Sequence, residues 1–358
     1  MKVLLVASNS LFVSPYVKTY IKILKENNID FNVVEKQHIE NNVEQNGNEN
    51  FIWYYNDVKT IIGKLKRFFG YADYVKKVVD TGEYDRIVLF SVIDSALCYR
   101  KLSKTKKTRF VVDIRDYDKH IKYPFIKKWF GKVIARSEFV IISSEKFKSW
   151  LPQKSKIYVM HNLTDLDNVK SSNALFSRSQ INIGYFGGIG YYEQNIALAE
   201  AFKNNDNIIL SYRGKYPSQK NIKDYCIENG IKNVCFYGSY SNADKHILYD
   251  DIDIINAVYG DDSLVVTTAL PNKLYDCLCY KIPIMVSKNT YLSELVSKYN
   301  IGLAIDASND NISGELDKFV QEFDQTNFIN SCTILLETIK TEQENTYKEL
   351  LRFLKKEL

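Results

Sequence analysis

Ala269-Leu-Pro-Asn-Lys-Leu-Tyr-Asp-Cys-Leu-Cys-Tyr-Lys-Ile-Pro-Ile-Met-Val-Ser287 reads as a loop, a short helix opening near Pro271, and a buried strand beginning at Pro283. Proline suits the first helical position, because its missing N–H would have no partner there. The first turn, with Asn272, Lys273 and Leu274, then presents free backbone N–H groups beside the Lys273 cation, and such groups bind anions. One turn on, Asp276 is placed to accept hydrogen bonds from a sugar diol. Phosphate and ribose are the two halves of a nucleotide. An ordinary helix carrying a solvated Lys-Asp pair satisfies the same spacing.

The pattern Pro-x-Lys-Leu-Tyr-Asp, a small apolar helix, then Pro-Ile-Met-Val-Ser resembles the donor-binding signature of retaining glycosyltransferases with the GT-B architecture. It is most similar to family 4, which includes many bacterial cell-surface polysaccharide enzymes. The resemblance covers most of residues 181–306 and, more weakly, 86–165. It implies that Asp276 binds the nucleotide ribose. Thr268 stands where the family usually has the first Glu of a Glu-x7-Glu pair, and Lys281-Ile282 replaces the usual Gly-Lys before the proline.

A chain of 358 residues is long enough for two ordinary domains. Its 45% hydrophobic and 25% charged composition is globular. Six scattered cysteines, Cys277 and Cys279 among them, read as free thiols of a reducing cytosol. Met1-Lys-Val-Leu-Leu-Val-Ala-Ser8 has too short an apolar run for a signal peptide and reads as a first strand. No window supplies the ~20 apolar residues of a membrane-spanning helix.

Charge divides unevenly. Residues 1–160 hold 29 Lys+Arg against 17 Asp+Glu, a net of +12, and residues 161–358 hold 19 against 26, a net of −7. Basic residues gather at Lys64, Lys66, Arg67, Lys76 and Lys77, in Arg100–Arg109, and in Lys119–Lys132, with aromatics interleaved. Such a surface suits an anionic membrane, at roughly 1 kcal/mol per basic residue. A solvated lysine-rich surface and a nucleic-acid face are the rivals, although no nucleic-acid motif is present.

Apolar runs alternate with helix-length segments at Val3–Ala7, Phe31–Glu35, Arg86–Ser91, Arg109–Ile114, Phe139–Ser143 and Ile157–Met160. A polar loop is expected at 41–50. The alternation pauses after His161 and restarts at Ile181, with runs at Ile208–Tyr212, Asn233–Tyr237, Asp253–Ala257, Ile282–Ser287 and Gly302–Ile305. Near-continuous apolar strands between helices indicate parallel sheets covered on both faces. The expected fold is α/β GT-B, two Rossmann-like doubly wound domains facing a cleft. Residues 1–163 would bind acceptor, 164–180 link, 181–340 bind donor, and 341–358 form a terminal helix, which in GT-B proteins often crosses back.

Gly184-Tyr-Phe-Gly-Gly-Ile-Gly190 closes the first strand of the second half. Its spacing is not that of a dinucleotide fingerprint, which argues against an NAD or FAD enzyme. It is similar to the family's glycine turn, except that Gly188 stands where an arginine is common. The resemblance then implies a diphosphate held by Gly187, Gly188 and Lys273, with Arg213 or Lys215 from Tyr212-Arg-Gly-Lys215 assisting. Tyr240, in Tyr237-Gly-Ser-Tyr240, falls where members hold the base, although a plain strand-to-helix turn reads the same. Glu294 matches an acidic family position, although a surface helix charge is the plainer reading. Val112-Asp-Ile-Arg-Asp-Tyr-Asp-Lys-His120 resembles the acceptor-side Asp-x-Arg-Asp segment. There Asp116 would orient an acceptor hydroxyl, His120 would hold a proton or the donor sugar, and Asp113 would fix the loop. Ser8-Asn-Ser10 replaces the family's glycine-rich acceptor loop. The four histidines have no metal-ligand spacing.

The expected activity is metal-independent transfer of a sugar, with retention, from a nucleotide diphosphate sugar to a glycan or lipid-linked saccharide. No cofactor besides the donor is expected, and no nucleic acid. The expected setting is the cytoplasm, peripheral on the membrane. A non-catalytic GT-B subunit that stabilises a partner transferase is the alternative, and a nucleotide-sugar epimerase a third reading.

Overall fold

The computed structural model describes residues 1–38, 50–56, 60–102, 108–154, 156–163, 175–215, 217–241, 244–309 and 311–355. All but the last residue of the expected loop at 41–50 lies outside this set, as do residues 164–174 of the expected linker and 103–107 of the Arg100–Arg109 run.

The chain forms two compact units, Met1–His161 with Thr341–Leu358, and Asn162–Lys340. In the first, the elements run β1 (Lys2–Val6), α1 (Pro15–Glu26), β2 (Asp30–His38), β3 (Asn50–Tyr55), α2 (Ile61–Thr81), β4 (Arg86–Phe90), α3 (Val92–Leu102), β5 (Arg109–Ile114), α4 (Pro124–Arg136), β6 (Val140–Ile142) and β7 (Ile157–Val159). The strands pair in parallel in the order β3-β2-β1-β4-β5-β6-β7. Val3 to Ala7 are buried without interruption, as a strand covered on both faces must be. Pro15 opens α1, whose Val17, Tyr20, Ile21 and Leu24 pack on Val3, Leu5 and Phe90. The sequence reading misses β3. Its Phe51-Ile-Trp-Tyr-Tyr55 is an aromatic edge strand against β2, without the aliphatic run that marks the inner strands.

The second unit runs β8 (Ile181–Phe186), α5 (Tyr192–Ala201), β9 (Ile208–Arg213), α6 (Pro217–Glu228), β10 (Val234–Gly238), α7 (Lys245–Leu248), β11 (Ile254–Ala257), α8 (Leu264–Thr268), α9 (Asn272–Tyr280), β12 (Ile284–Ser287), α10 (Tyr291–Tyr299), β13 (Gly302–Ile305), α11 (Ile312–Gln321) and α12 (Gln325–Leu354). Its parallel sheet has the order β10-β9-β8-β11-β12-β13, and the winding reverses between β8 and β11. Two cores cover it. One is built on Leu274, Leu278, Val296 and Phe328, the other on Leu198, Phe202, Leu210 and Leu316.

The last helix is longer than the sequence reading of 341–358. It begins at Gln325, because Phe328, Cys332, Leu335, Leu336 and Ile339 form a buried stripe at helical spacing. A polar run from Lys340 to Gln343 hides the continuity. Leu350, Phe353 and Leu354 then join the core of the first unit, and the Phe353 carbonyl accepts from Arg86 Nε at 3.0 Å. Among the described residues no helix is long and apolar enough to cross a membrane.

Candidate functional site

Ligands of open parallel sheets bind at the carboxyl ends of the strands where the winding reverses. In the second unit these are the ends of β8 and β11. After β8 the chain turns through Gly187, at φ +97°, to Gly190. Tyr191 enters α5 in the left-handed region. Several bonds hold this turn. Gly187 N–H donates to the Arg213 carbonyl at 2.9 Å, Tyr185 Oη to the Gly188 carbonyl at 3.0 Å, and Asn195 Nδ2 to Gly190 and Tyr191. Gly214, at φ +151°, lies so close beneath it that any Cβ there would run into the Gly187 carbonyl. After β11, Ser287 Oγ accepts the N–H groups of Tyr259 and Gly260 at 3.0 and 2.7 Å.

Lys273 reaches between these two strand ends. It is only 5% exposed, and its Nζ lies 3.2 Å from the Tyr185 ring centroid and 5.0 Å from that of Tyr259. Tyr191 stacks on Tyr259 at 4.6 Å. The amine has no hydrogen-bond partner among the described residues. Aromatic faces attract a cation, but they do not replace the water lost on burial. Burial therefore holds the Lys273 pKa well below its ordinary value, with Asp276 opposing and Lys245 reinforcing the shift.

Asp276 does not stand open. Lys245 Nζ lies 2.6 Å from its Oδ1 and Tyr249 Oη donates to its Oδ2 at 2.9 Å. Tyr249 stacks on Phe186 at 4.1 Å and on Tyr280 at 4.6 Å, and Tyr240 meets Phe186 edge-on. Burial, and then the Asp276 charge, push the Tyr240 hydroxyl up to about 12. Tyr185 and Phe186 are consecutive on β8 and so point to opposite faces of the sheet. The first belongs to the Lys273 group and the second to the Asp276 group.

Three sequence expectations change. Pro271 is the extended cap (φ −73°, ψ 157°) and α9 starts at Asn272, so the Leu274 N–H is taken by the Pro271 carbonyl at 3.0 Å. The Leu274 side chain is core, with no exposure at all. Arg213 is committed internally. Its guanidinium grips Asp251 at 2.9 and 2.6 Å, donates to the Leu248 carbonyl, and lies over Tyr237. Asn272, Lys215, Gly188 and Glu294 are exposed. Sequence reasoning missed Tyr185, Tyr191, Lys245, Tyr249 and Tyr259. The one signal was the abundance of tyrosine, 26 residues in all.

In the first unit, Asp113 is fully buried, accepting from Tyr20 Oη and Arg115 Nη2, each at 2.6 Å. Arg115 continues to the Met160 carbonyl at 2.9 Å. Asp116 is exposed just beyond β5. His120 Nδ1 lies 2.6 Å from Asp118 Oδ1, and its ring meets Phe68 edge-on at 5.6 Å. Ser8 Oγ donates to the Phe90 carbonyl at 2.9 Å, so it is used within the fold.

No protein-family model matches this chain, and no curated protein matches it. Solved structures do. Sucrose-phosphate synthase from Thermosynechococcus elongatus superposes with a TM-score of 0.71 at 12% identity, over 98% of this chain and 99% of that one. HepE from Anabaena, solved in complex with UDP and glucose, gives 0.68 at 14% identity, over 98% and 99%. A glycosyltransferase from Rickettsia africae gives 0.69 at 12% identity, over 99% and 98%. The likeness is one of fold: this chain has the two Rossmann-like, parallel-sheet units of the GT-B glycosyltransferases.

Proposed function

We propose that this chain is a glycosyltransferase of the family 4 type, moving a sugar from a nucleotide diphosphate sugar to an acceptor hydroxyl with retention. One observation carries the reading. The Lys273 amine is buried without an acceptor among the described residues, beside a glycine turn at the reversal point of the second sheet. An anionic diphosphate supplies the acceptor it lacks. The neighbouring turn brings backbone close to the same ligand through Gly187 and Gly188. Developing charge on the leaving diphosphate would be stabilised electrostatically by these groups. Asp276 would take the ribose hydroxyls by exchanging Lys245 for them. In the first unit Asp116 and His120 would serve the acceptor, a glycan or lipid-linked saccharide of cell-surface polysaccharide synthesis, in the cytoplasm. The complex of HepE with UDP and glucose supports UDP as the first nucleotide to try.

Calorimetric titration of UDP tests the site. Removing a charge-assisted contact costs about 1.5–3 kcal/mol, so Lys273→Ala should weaken UDP by about tenfold or more. Unchanged affinity in both Lys273→Ala and Asp276→Ala proteins would sink the assignment. Turnover should survive chelation, and rescue of a chelated, inactive enzyme by magnesium or manganese would refute metal independence.

Two observations favour a second reading, a non-catalytic GT-B subunit. Asp276 already has two partners, and Gly188 stands where the family often carries arginine. Release of free nucleotide from a panel of nucleotide sugars, with and without a membrane extract, separates the two.

A further inference from the structure

Among the described residues, the first unit carries a ribbon of apolar side chains on its surface. Ile62 is 68% exposed and Leu65 45%, and they lie one turn apart at the start of α2. Phe68 continues the same strip of the helix. Its ring meets His120 at 5.6 Å, His120 approaches Tyr123 at 6.3 Å, Tyr123 stacks on Phe125 at 6.1 Å, and Phe125 meets Trp129 at 5.5 Å. Tyr123 and Phe125 are nearly half exposed. The turn at Lys119–Lys122 thus joins the starts of α2 and α4 into one surface. The opposite face of α4, through Ile126, Phe130, Val133 and Ile134, already fills the core. Ile62, Leu65, Tyr123 and Phe125 stay exposed on the other side of this packing, among the described residues.

Cations border it. Lys64, Lys66, Lys119, Lys122, Lys127 and Lys128 are all exposed. A monomer's exposed apolar patch marks an interaction site, and a basic rim selects an anionic partner. Two broad classes offer that charge. Nucleic acid uses the cations and can stack on the aromatics, but it gives the aliphatic Ile62 and Leu65 nothing to enter. A bilayer takes all three kinds of side chain. Aliphatic groups enter the acyl boundary, aromatic rings sit at headgroup depth, and lysines meet anionic headgroups.

We propose that the first unit docks on an anionic lipid bilayer through this face, inserting Ile62, Leu65 and Phe125 and pairing the surrounding lysines with headgroups. The surface contains none of the donor-site residues, and of the acceptor-side pair it includes only His120, which the test below leaves unchanged.

Cosedimentation of the full chain with phosphatidylglycerol-containing vesicles and with pure phosphatidylcholine vesicles, at low, physiological and high salt, tests it. Binding should require the anionic lipid and weaken steeply as salt shortens the screening length. Each cation removed should weaken partitioning about fivefold, so Lys127→Glu with Lys128→Glu should weaken it about 25-fold or more. Ile62→Ser, Leu65→Ser and Phe125→Ser together should remove the component that survives high salt. These side chains are exposed, so melting temperatures should not move. If one combined variant does melt early, its single substitutions are read instead. Wild-type chain that stays in the supernatant at low salt overturns the proposal. So does full binding by both variants, or binding to duplex DNA with none to vesicles.

Discussion

Lys245 Nζ lies 2.6 Å from Asp276 Oδ1, while Lys273, one turn earlier on the same helix as Asp276, has no hydrogen-bond acceptor among the described residues. The nearer lysine in sequence is not the one that pairs. The pair is largely shielded, with 21% and 13% of the two side chains exposed. Lys245→Ala should destabilise the fold by about 1–2 kcal/mol, between the values for exposed and fully buried pairs. Urea unfolding of Lys245→Ala, Asp276→Ala and the double variant should show coupling of about 1 kcal/mol. If UDP replaces Lys245 at Asp276, saturating UDP should shrink that coupling. Coupling unchanged by UDP would mean the pair is purely structural.

Lys273 makes a pH prediction. Burial lowers its folded pKa well below 10.5, whereas the unfolded chain titrates near that ordinary value. Between the two values the unfolded chain binds more protons, so stability rises with pH through that window. A bound diphosphate favours the ammonium form and raises the pKa again. Within the window, UDP binding should take up as much as one proton, seen as a calorimetric enthalpy that depends on the buffer's ionisation heat. Lys273→Met should abolish the uptake. Buffer-independent enthalpy between the ordinary and lowered values would show that the amine does not meet the phosphates.

The two glycines under the turn should behave differently on substitution. A Cβ at Gly214 would collide with the Gly187 backbone, and its φ of +151° is foreign to other residues. Gly214→Ala should therefore cost about 4 kcal/mol or more, measured by urea unfolding. A Cβ at Gly187 meets open space, so Gly187→Ala carries only the strain of a positive φ, about 1–2 kcal/mol. Equal losses at the two positions would contradict the stacked arrangement.

Arg213 should prove a stability residue. Arg213→Ala loses the Asp251 pair, the Leu248 carbonyl bond and the stack on Tyr237, together about 2 kcal/mol, since Asp251 is half exposed. UDP affinity should change little. A large loss of affinity with normal stability would return Arg213 to the donor site.

The sheets were legible in the sequence because inner parallel strands are continuous apolar runs. Val3–Val6 and Ile284–Ser287 could face nothing but core. The aromatic edge strand at Asn50–Tyr55 and the start of α12 at Gln325 were not, since an edge needs no aliphatic run and a polar gap breaks a stripe. At the site, Lys273 could be singled out from its place at a helix start. Its burial between two tyrosines could not, because Tyr185 and Tyr259 are brought to it by strand order alone. Nor does any local spacing relate Lys245 to Asp276, 31 residues away. Arg213 looked available because a basic residue at a strand end reads the same whether it faces a ligand or Asp251.

The passage of α12 from one unit to the other has a consequence during synthesis. Residues 341–354 of that helix belong to the first unit, where Leu350, Phe353 and Leu354 lie with no exposure beside Val88 and Phe139. The ribosome makes the bulk of that unit first, yet its interior stays unsealed until residue 354 emerges. At about 5–20 residues per second, the wait after His161 lasts on the order of ten to forty seconds. The continuous stretch Asn162–Lys340 can close before it. The half of the protein that is translated first should be the last to become resistant to protease on a stalled nascent chain.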